Sequence, residues 1–266
     1  MIEIIDITPD NNLEKKYFED ICEELRITLD KDWSFIFQNY GDPTPNSTHR
    51  KIIVMNAGEN HKIPKQVNDD SVEMIFKQYI PLKVNSPSGF ENDYHPKVRS
   101  IPLGDKAGFF YKEKHINDRT HDYAFVGQLS PSRVNFANYV NSIHNESSVI
   151  EWYRGFDNGQ SVEKYSELMS DTKIALCPEG TSSPETFRYF EAMKAGCVVV
   201  TSPKPSSWFY DGAPHIETDW TNLPQIADNL LSNPSALEDY HKKSLAWWDS
   251  RISPLAVAQY IKGEIS

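Results

Sequence analysis

The stretch from Lys173 to Thr201, KIALCPEGTSSPETFRYFEAMKAGCVVVT, reads as one strand, loop, helix and strand. Lys173 to Cys177 is a short run rich in apolar residues that stops at Pro178. Cys197 to Thr201 is almost purely β-branched, the pattern of parallel strands buried on both faces. Between them, Thr186 to Ala195 lacks Gly and Pro and spaces Phe187, Phe190 and Met193 three apart. Gly196 then stands where a helix ends most easily in a left-handed residue. The loop Pro178-Glu179-Gly180-Thr181-Ser182-Ser183-Pro184 offers a glycine, three hydroxyls and the amides of a helix start, which together suit a diphosphate. Arg188 and Glu191, three apart, project from neighbouring turns on one side of the helix, with Arg188 nearer the loop. One is placed to meet a phosphate, the other to accept hydrogen bonds from ribose hydroxyls. The competing reading of the same residues is a surface ion pair beside a plain βα connection.

Working outward, Tyr123 to Gln128 is a strand run that ends around Gly127, followed by Ser130-Pro131-Ser132-Arg133 and a helix over 133–143. Trp152 to Phe156 is expected as a second strand, and Ser161 to Met169 as a capped helix with Tyr165, Leu168 and Met169 on its buried face. Strands alternating with helices predict a doubly wound parallel sheet, whose ligands bind at the carboxyl ends of the strands. Gly127, Gly180 and Arg188 all fall near such ends. After Thr201, Trp208-Phe209-Tyr210 reads as an aromatic anchor for a loop. Two helices (223–231 and 236–248) and a last helical run opening at Pro254 follow.

The string Leu176-Cys177-Pro178-x-Gly180, then Thr186-x-Arg188-x-x-Glu191-Ala192-Met193-x-x-Gly196-Cys197-Val198, resembles the donor-site motif of exostosin-like glycosyltransferases. Phe125, Gly127 and the later Arg133 resemble the opening of the same domain. Thr186 replaces the family's usual Ser, and Val199 its frequent Pro. The resemblance implies an α/β protein of the GT-B fold, with two Rossmann-like domains facing across a cleft and a C-terminal helix crossing back to the first. It further implies that Arg188 faces the donor diphosphate and Glu191 the ribose, with Gly127, Arg133, Gly180, Thr181, Ser182, Ser183 and Thr186 completing the donor site. The donor is then a nucleotide diphosphate sugar, UDP-sugar or GDP-sugar, and the acceptor a glycan or glycolipid hydroxyl. Transfer is expected to be inverting, with no metal or other cofactor. The alternatives are a non-catalytic nucleotide-sugar-binding subunit and a GT-B sugar-nucleotide epimerase.

At 266 residues the chain suits two domains. The expected limits are 1–118 for an acceptor-side α/β domain, 119–250 for the donor domain and 251–266 for the returning helix. The net charge of −11 argues against nucleic acid as the main partner. No apolar stretch of about 18 residues and no signal-peptide pattern is visible. Three cysteines without a CxxC pair favour buried free thiols and a cytoplasmic location; peripheral contact with a membrane stays open.

The N-terminal part is read as strands at 1–7, 33–37, 51–55, 72–79 and 98–103, with a helical stretch at 12–29 and a polar linker at 106–120. An inverting enzyme needs a base for the acceptor hydroxyl, and a carboxylate or imidazole in these loops can supply it. Glu59 and His61, after Met55, and Asp93 and His95, in Glu91-Asn92-Asp93-Tyr94-His95-Pro96, are the four candidates. Asp30-Lys31-Asp32 has the spelling of a metal motif but precedes its apolar strand, and His215-Ile216-Glu217 lacks a third ligand at suitable spacing.

Overall fold

The computed structural model describes residues 3–6, 13–28, 33–47, 49–56, 58, 60–80, 95–155, 158–181 and 183–265. In chain order these form β1 (Glu3–Asp6), α1 (Lys15–Thr28), β2 (Trp33–Asn39), β3 (Arg50–Asn56), β4 (Val72–Lys77) and β5 (Val98–Ser100). Next come β6 (His121–Gln128), α2 (Val134–Val140), β7 (Ser148–Tyr153), α3 (Val162–Ser170), β8 (Thr172–Cys177), α4 (Phe187–Lys194) and β9 (Val198–Thr201). The chain ends with β10 (His215–Glu217), α5 (Leu223–Leu231), α6 (Pro234–Trp247) and α7 (Pro254–Ile265).

Two compact units result. One comprises Met1–Ala107, Pro205–Asp211 and Arg251–Ser266; the other comprises Gly108–Lys204 and Gly212–Ser250. Each contains a five-stranded sheet in which every described pairing is parallel.

In the first unit the strands lie in sequence order, β1 to β5. Tyr17, Phe18, Ile21 and Leu25 recur at helical spacing on α1 and pack with Phe35, Phe37, Ile52, Val54 and Phe76 on one face of the sheet. Val257 and Ile261 of α7 join the same core. Tyr17 also donates its hydroxyl to the carbonyl of Ile252, and Arg99 pairs with Glu264. The other face buries Ile53, Met55, Ile75 and Val98 under loop residues Tyr40, Ile63 and Val67, without a long helix among the described residues. Segment 205–211 belongs here as well. Trp208 stacks on Tyr260 at 4.0 Å and donates to the Ser100 carbonyl at 2.8 Å, while Phe209 and Tyr210 are buried. The aromatic trio is therefore part of a core.

The second unit has the strand order β10-β9-β8-β6-β7. It begins earlier than the polar composition of 106–120 suggests. Phe110 N and Lys112 N donate to the hydroxyls of Ser166 and Ser170, and buried Arg119 donates to the carbonyls of Lys114, Thr172 and Ala195. Residues 108–118 are thus fixed to this unit by long-range hydrogen bonds that hydropathy does not reveal. The edge strand β7 also begins earlier than the expected 152–156. It pairs Ser148 to Tyr153 with Tyr123 to Gln128, and Gly155 at φ +84° follows its end. Gly196, at φ +69°, terminates α4 as its sequence position requires. No helix among the described residues is long and apolar enough to cross a membrane.

Candidate functional site

In the second sheet, β6 is followed by β7 on one side, after which the chain crosses to β8 on the other side and continues to β9 and β10. The order reverses between β6 and β8. In an open parallel sheet the connections leave such a point in opposite directions and open a crevice at the carboxyl ends. Gly127 lies at that end of β6, and the loop 178–186 leaves that end of β8.

Arg188, in the first turn of α4, fills the space between them. Its Nε and Nη2 donate to the carbonyl of Val126 at 3.0 and 2.8 Å, and its guanidinium carbon lies 4.7 Å from the Phe125 ring centroid. Gly127 is required by proximity: a Cβ there would overlap Arg188 Nη2 and stand 3.0 Å from Phe125 Cζ. The third guanidinium nitrogen, Nη1, is buried without a hydrogen-bond partner. Thr186, at the N-cap, makes no capping bond, and its Oγ1 is likewise buried and unpartnered. Buried polar atoms are nearly always paired, so two orphans at one helix start indicate a ligand position. A helix N-terminus, a guanidinium and a hydroxyl are complementary to a phosphate.

The other sequence candidates in this unit have different surroundings. Arg133 is buried and spends its Nε on the Glu179 carbonyl and its Nη1 on the Gln128 carbonyl, both at 2.7 Å, so it clamps the two strand-end loops together. Gly180 closes a turn, its N–H bonded to the Ser183 carbonyl at 2.7 Å, and its own carbonyl accepts from Ser132 Oγ at 2.9 Å. Ser183 is buried and its hydroxyl accepts from Glu185 N at 3.0 Å, whereas Thr181 is exposed. Ser182 lies outside the described residues. Glu191 is buried, only 3% exposed, one turn deeper than Arg188.

Three neighbours of the site were not among the sequence candidates for it. The hydroxyl of Tyr165 on α3 is buried and unpartnered, and burial, with Glu191 adding to it, raises its pKa well above the ordinary range. Lys204 donates to the Pro184 carbonyl, and burial brings its pKa down to about 8. Ser202 bonds the Glu179 carboxylate. Tyr165 had a signal, since a phenol on a buried helix face needs a partner. Lys204 and Ser202 had none, because their partners are set by tertiary structure. All three cysteines are buried free thiols, and burial pushes Cys177 up to about 12.

No family model matches the chain, and no curated protein matches it in sequence. Solved structures are similar in fold. AviGT4, a glycosyltransferase involved in avilamycin A biosynthesis, matches over 99% of this chain and 96% of its own length, with a TM-score of 0.52 and 11% identity. HepE of Anabaena, determined in complex with UDP-glucose, matches over 100% and 99%, with a TM-score of 0.50 and 11% identity. The fold is GT-B.

In the GT-B first unit, four residues are candidates for a base. Glu59 and Asp93, and Asp30-Lys31-Asp32 with them, lie outside the described residues. His61 follows β3 and therefore stands at the carboxyl end of the sheet. Its Nδ1 lies 2.9 Å from the Ile80 carbonyl, which can only accept, so Nδ1 carries a hydrogen. His95 precedes β5, at the amino end of that strand, and its Nδ1 accepts from Lys97 N at 3.2 Å. Its lone pair is already engaged by backbone. The two imidazoles thus differ in position and in the partner of Nδ1.

His215 and Glu217 of β10 form a chain with Tyr189. The Tyr189 hydroxyl is 2.7 Å from His215 Nδ1, and His215 Nε2 is 3.3 Å from Glu217. Burial lowers the His215 pKa. This chain braces the edge strand against α4.

Proposed function

We propose that this GT-B protein is an exostosin-like glycosyltransferase that moves a sugar from a nucleotide diphosphate donor to a hydroxyl of a glycan or glycolipid. The observation that carries the reading is the Arg188 guanidinium, pinned on Val126 and Phe125 with Nη1 buried and unpartnered beside the orphan hydroxyl of Thr186. A group so placed stabilises charge that develops on a departing diphosphate without needing to reorganise. Arg133 and Ser132 support the same site by holding the Gly180 loop against the end of β6. A UDP-sugar is favoured as donor because the structurally similar HepE was determined with UDP-glucose.

An inverting transfer also needs a base for the acceptor hydroxyl, for which Glu59, His61, Asp93 and His95 remain the candidates. Free buried thiols accord with a reducing, cytoplasmic setting. The test is a thermal-shift panel of nucleoside diphosphates and nucleotide sugars. Ligands of the folded state raise the melting temperature; UDP or GDP is expected to do so in the wild type and to lose most of the effect in Arg188→Ala. An equal shift in both proteins would remove Arg188 from the site.

A further inference from the structure

We propose that Tyr165 is a further ligand-binding residue of the second unit, its hydroxyl donating a hydrogen bond to the ribose of the nucleotide. The inference rests on the reading of the Arg188 site as a donor site. Tyr165 stands in the first turn of α3, where its N–H closes on the Ser161 carbonyl at 3.0 Å. A right-handed crossover through α3 carries the chain from β7 past β6 to β8, and the next, through α4, continues from β8 to β9 in the same direction. The two helices therefore cover one face of the sheet, while α2 and α5 pack their apolar residues on the other. Both start at the carboxyl ends of the strands they follow. Their first turns, which carry Tyr165 and Arg188, thus lie on the same face at the end where the crevice opens.

The ring of Tyr165 is seated against buried Phe109, with centroids 6.1 Å apart, and Phe110 N donates to Ser166 Oγ at 3.2 Å, which fixes α3 beside it. Its hydroxyl is buried and finds no hydrogen-bond partner. A phenol kept for packing alone would be better replaced by Phe, because an unsatisfied buried hydroxyl is destabilising. It joins Arg188 Nη1 and Thr186 Oγ1 as an orphan polar atom at these two helix starts. Burial chiefly, and then Glu191, raise the pKa of the phenol well above the ordinary range, while Arg188 opposes them. The hydroxyl therefore keeps its proton and lies within the fields of both residues. Chemistry then divides the roles. A guanidinium only donates, which suits phosphate oxygens, and an ionised carboxylate only accepts, whereas a hydroxyl does both. Glu191, one turn deeper than Arg188, is the carboxylate to which the motif resemblance assigns the ribose. A phenol beside it supplies the complementary donor, so that the pair holds the ribose hydroxyls through one acceptor and one donor.

Calorimetric titration of UDP and GDP into wild type, Tyr165→Phe and Arg188→Ala, with thermal melts of each ligand-free protein, tests the assignment. Tyr165→Phe removes one oxygen. It should melt at or above the wild-type temperature and bind the nucleotide roughly 2- to 10-fold more weakly, the range of one neutral hydrogen bond. Repeating the titrations with the 2′-deoxy and 3′-deoxy forms of that nucleotide locates the partner. With one of them, wild type and Tyr165→Phe should bind alike, because the hydroxyl that Tyr165 meets is gone. Equal affinity of wild type and Tyr165→Phe for the intact nucleotide overturns the proposal, and so does an equal loss with all three nucleotides. A lower melting temperature or a failure to fold in Tyr165→Phe also overturns it, since the hydroxyl would then have its partner within the protein. If Arg188→Ala binds like wild type while Tyr165→Phe behaves as expected, the reading of Arg188 falls and that of Tyr165 stands. If wild type binds neither nucleotide, the donor site and this inference fall together.

Discussion

Replacing Gly127 by Ala should disable donor binding while sparing the fold. The added methyl would overlap Arg188 Nη2 and lie 3.3 Å from Arg188 Cζ and 3.0 Å from Phe125 Cζ. The guanidinium is the far end of a flexible chain, so it should yield in preference to the strand. In doing so it gives up both bonds to the Val126 carbonyl and its seat over Phe125. Partial recovery of hydration by the displaced group limits the stability loss to about 1–3 kcal/mol. The ligand loses more. A hydrogen bond from a charged donor contributes about 1.5–3 kcal/mol, which corresponds to roughly 10- to 150-fold in Kd. Calorimetric titration of UDP into wild type, Gly127→Ala, Arg188→Ala and the double variant measures this directly. Because the glycine acts only through the arginine, Gly127→Ala should weaken UDP binding in the wild-type background and have no further effect in Arg188→Ala. Additive losses would refute the reasoning, since they would mean that the methyl acts by some route other than Arg188.

Further outcomes follow from other contacts. Arg133→Ala leaves the carbonyls of Glu179 and Gln128 without their donor and should lower stability by about 2–4 kcal/mol and weaken UDP binding, both read by denaturation and titration. Glu14 is buried, and desolvation raises its pKa from 4.5 to about 7. The folded state then holds a proton that the unfolded chain releases, so stability should fall as pH rises from about 4.5 to 7, by ~3 kcal/mol in total. Glu14→Gln should flatten that slope in urea titrations at several pH values. Gly196→Ala forces a Cβ into a left-handed site, 2.5 Å from His241 Nδ1 and 3.2 Å from Leu245 Cδ2, and should cost at least 1–2 kcal/mol (roughly, from the left-handed penalty alone) in the same assay. Cys177, with its pKa near 12, should resist maleimide at pH 8 until urea unfolds the second unit.

The second unit was legible in the sequence because its signals are local. β-branched runs, a glycine stop at 196 and Arg188 one turn into a helix each speak for themselves within a few residues. The detailed use of those side chains was not. Arg133 looks like a phosphate ligand by motif, yet its donors are directed to carbonyls 46 and 5 residues away in sequence. In the first unit the connections after β2, β3 and β4 contain little helical periodicity, so the α/β expectation there rested on the strands and the single helical stretch at 12–29. His61 could not be separated from His95 there, since the difference lies in an Ile80 carbonyl 19 residues away and in which end of a strand each occupies. The division of the chain was obscured for the same reason: segment 205–211 joins the first unit through Trp208, whose partners Ser100 and Tyr260 are remote in sequence.

This GT-B protein is proposed to break the bond between a sugar and a nucleoside diphosphate, with Arg188 holding the leaving group. Mass spectrometry of a panel of UDP- and GDP-sugars incubated with the protein, with and without glycan acceptors, tests it most directly. Release of the nucleoside diphosphate from at least one donor by wild type, accelerated by a suitable acceptor and lost in Arg188→Ala, is the expected result; donors that bind but remain intact, or release that survives in Arg188→Ala, would overturn the proposal.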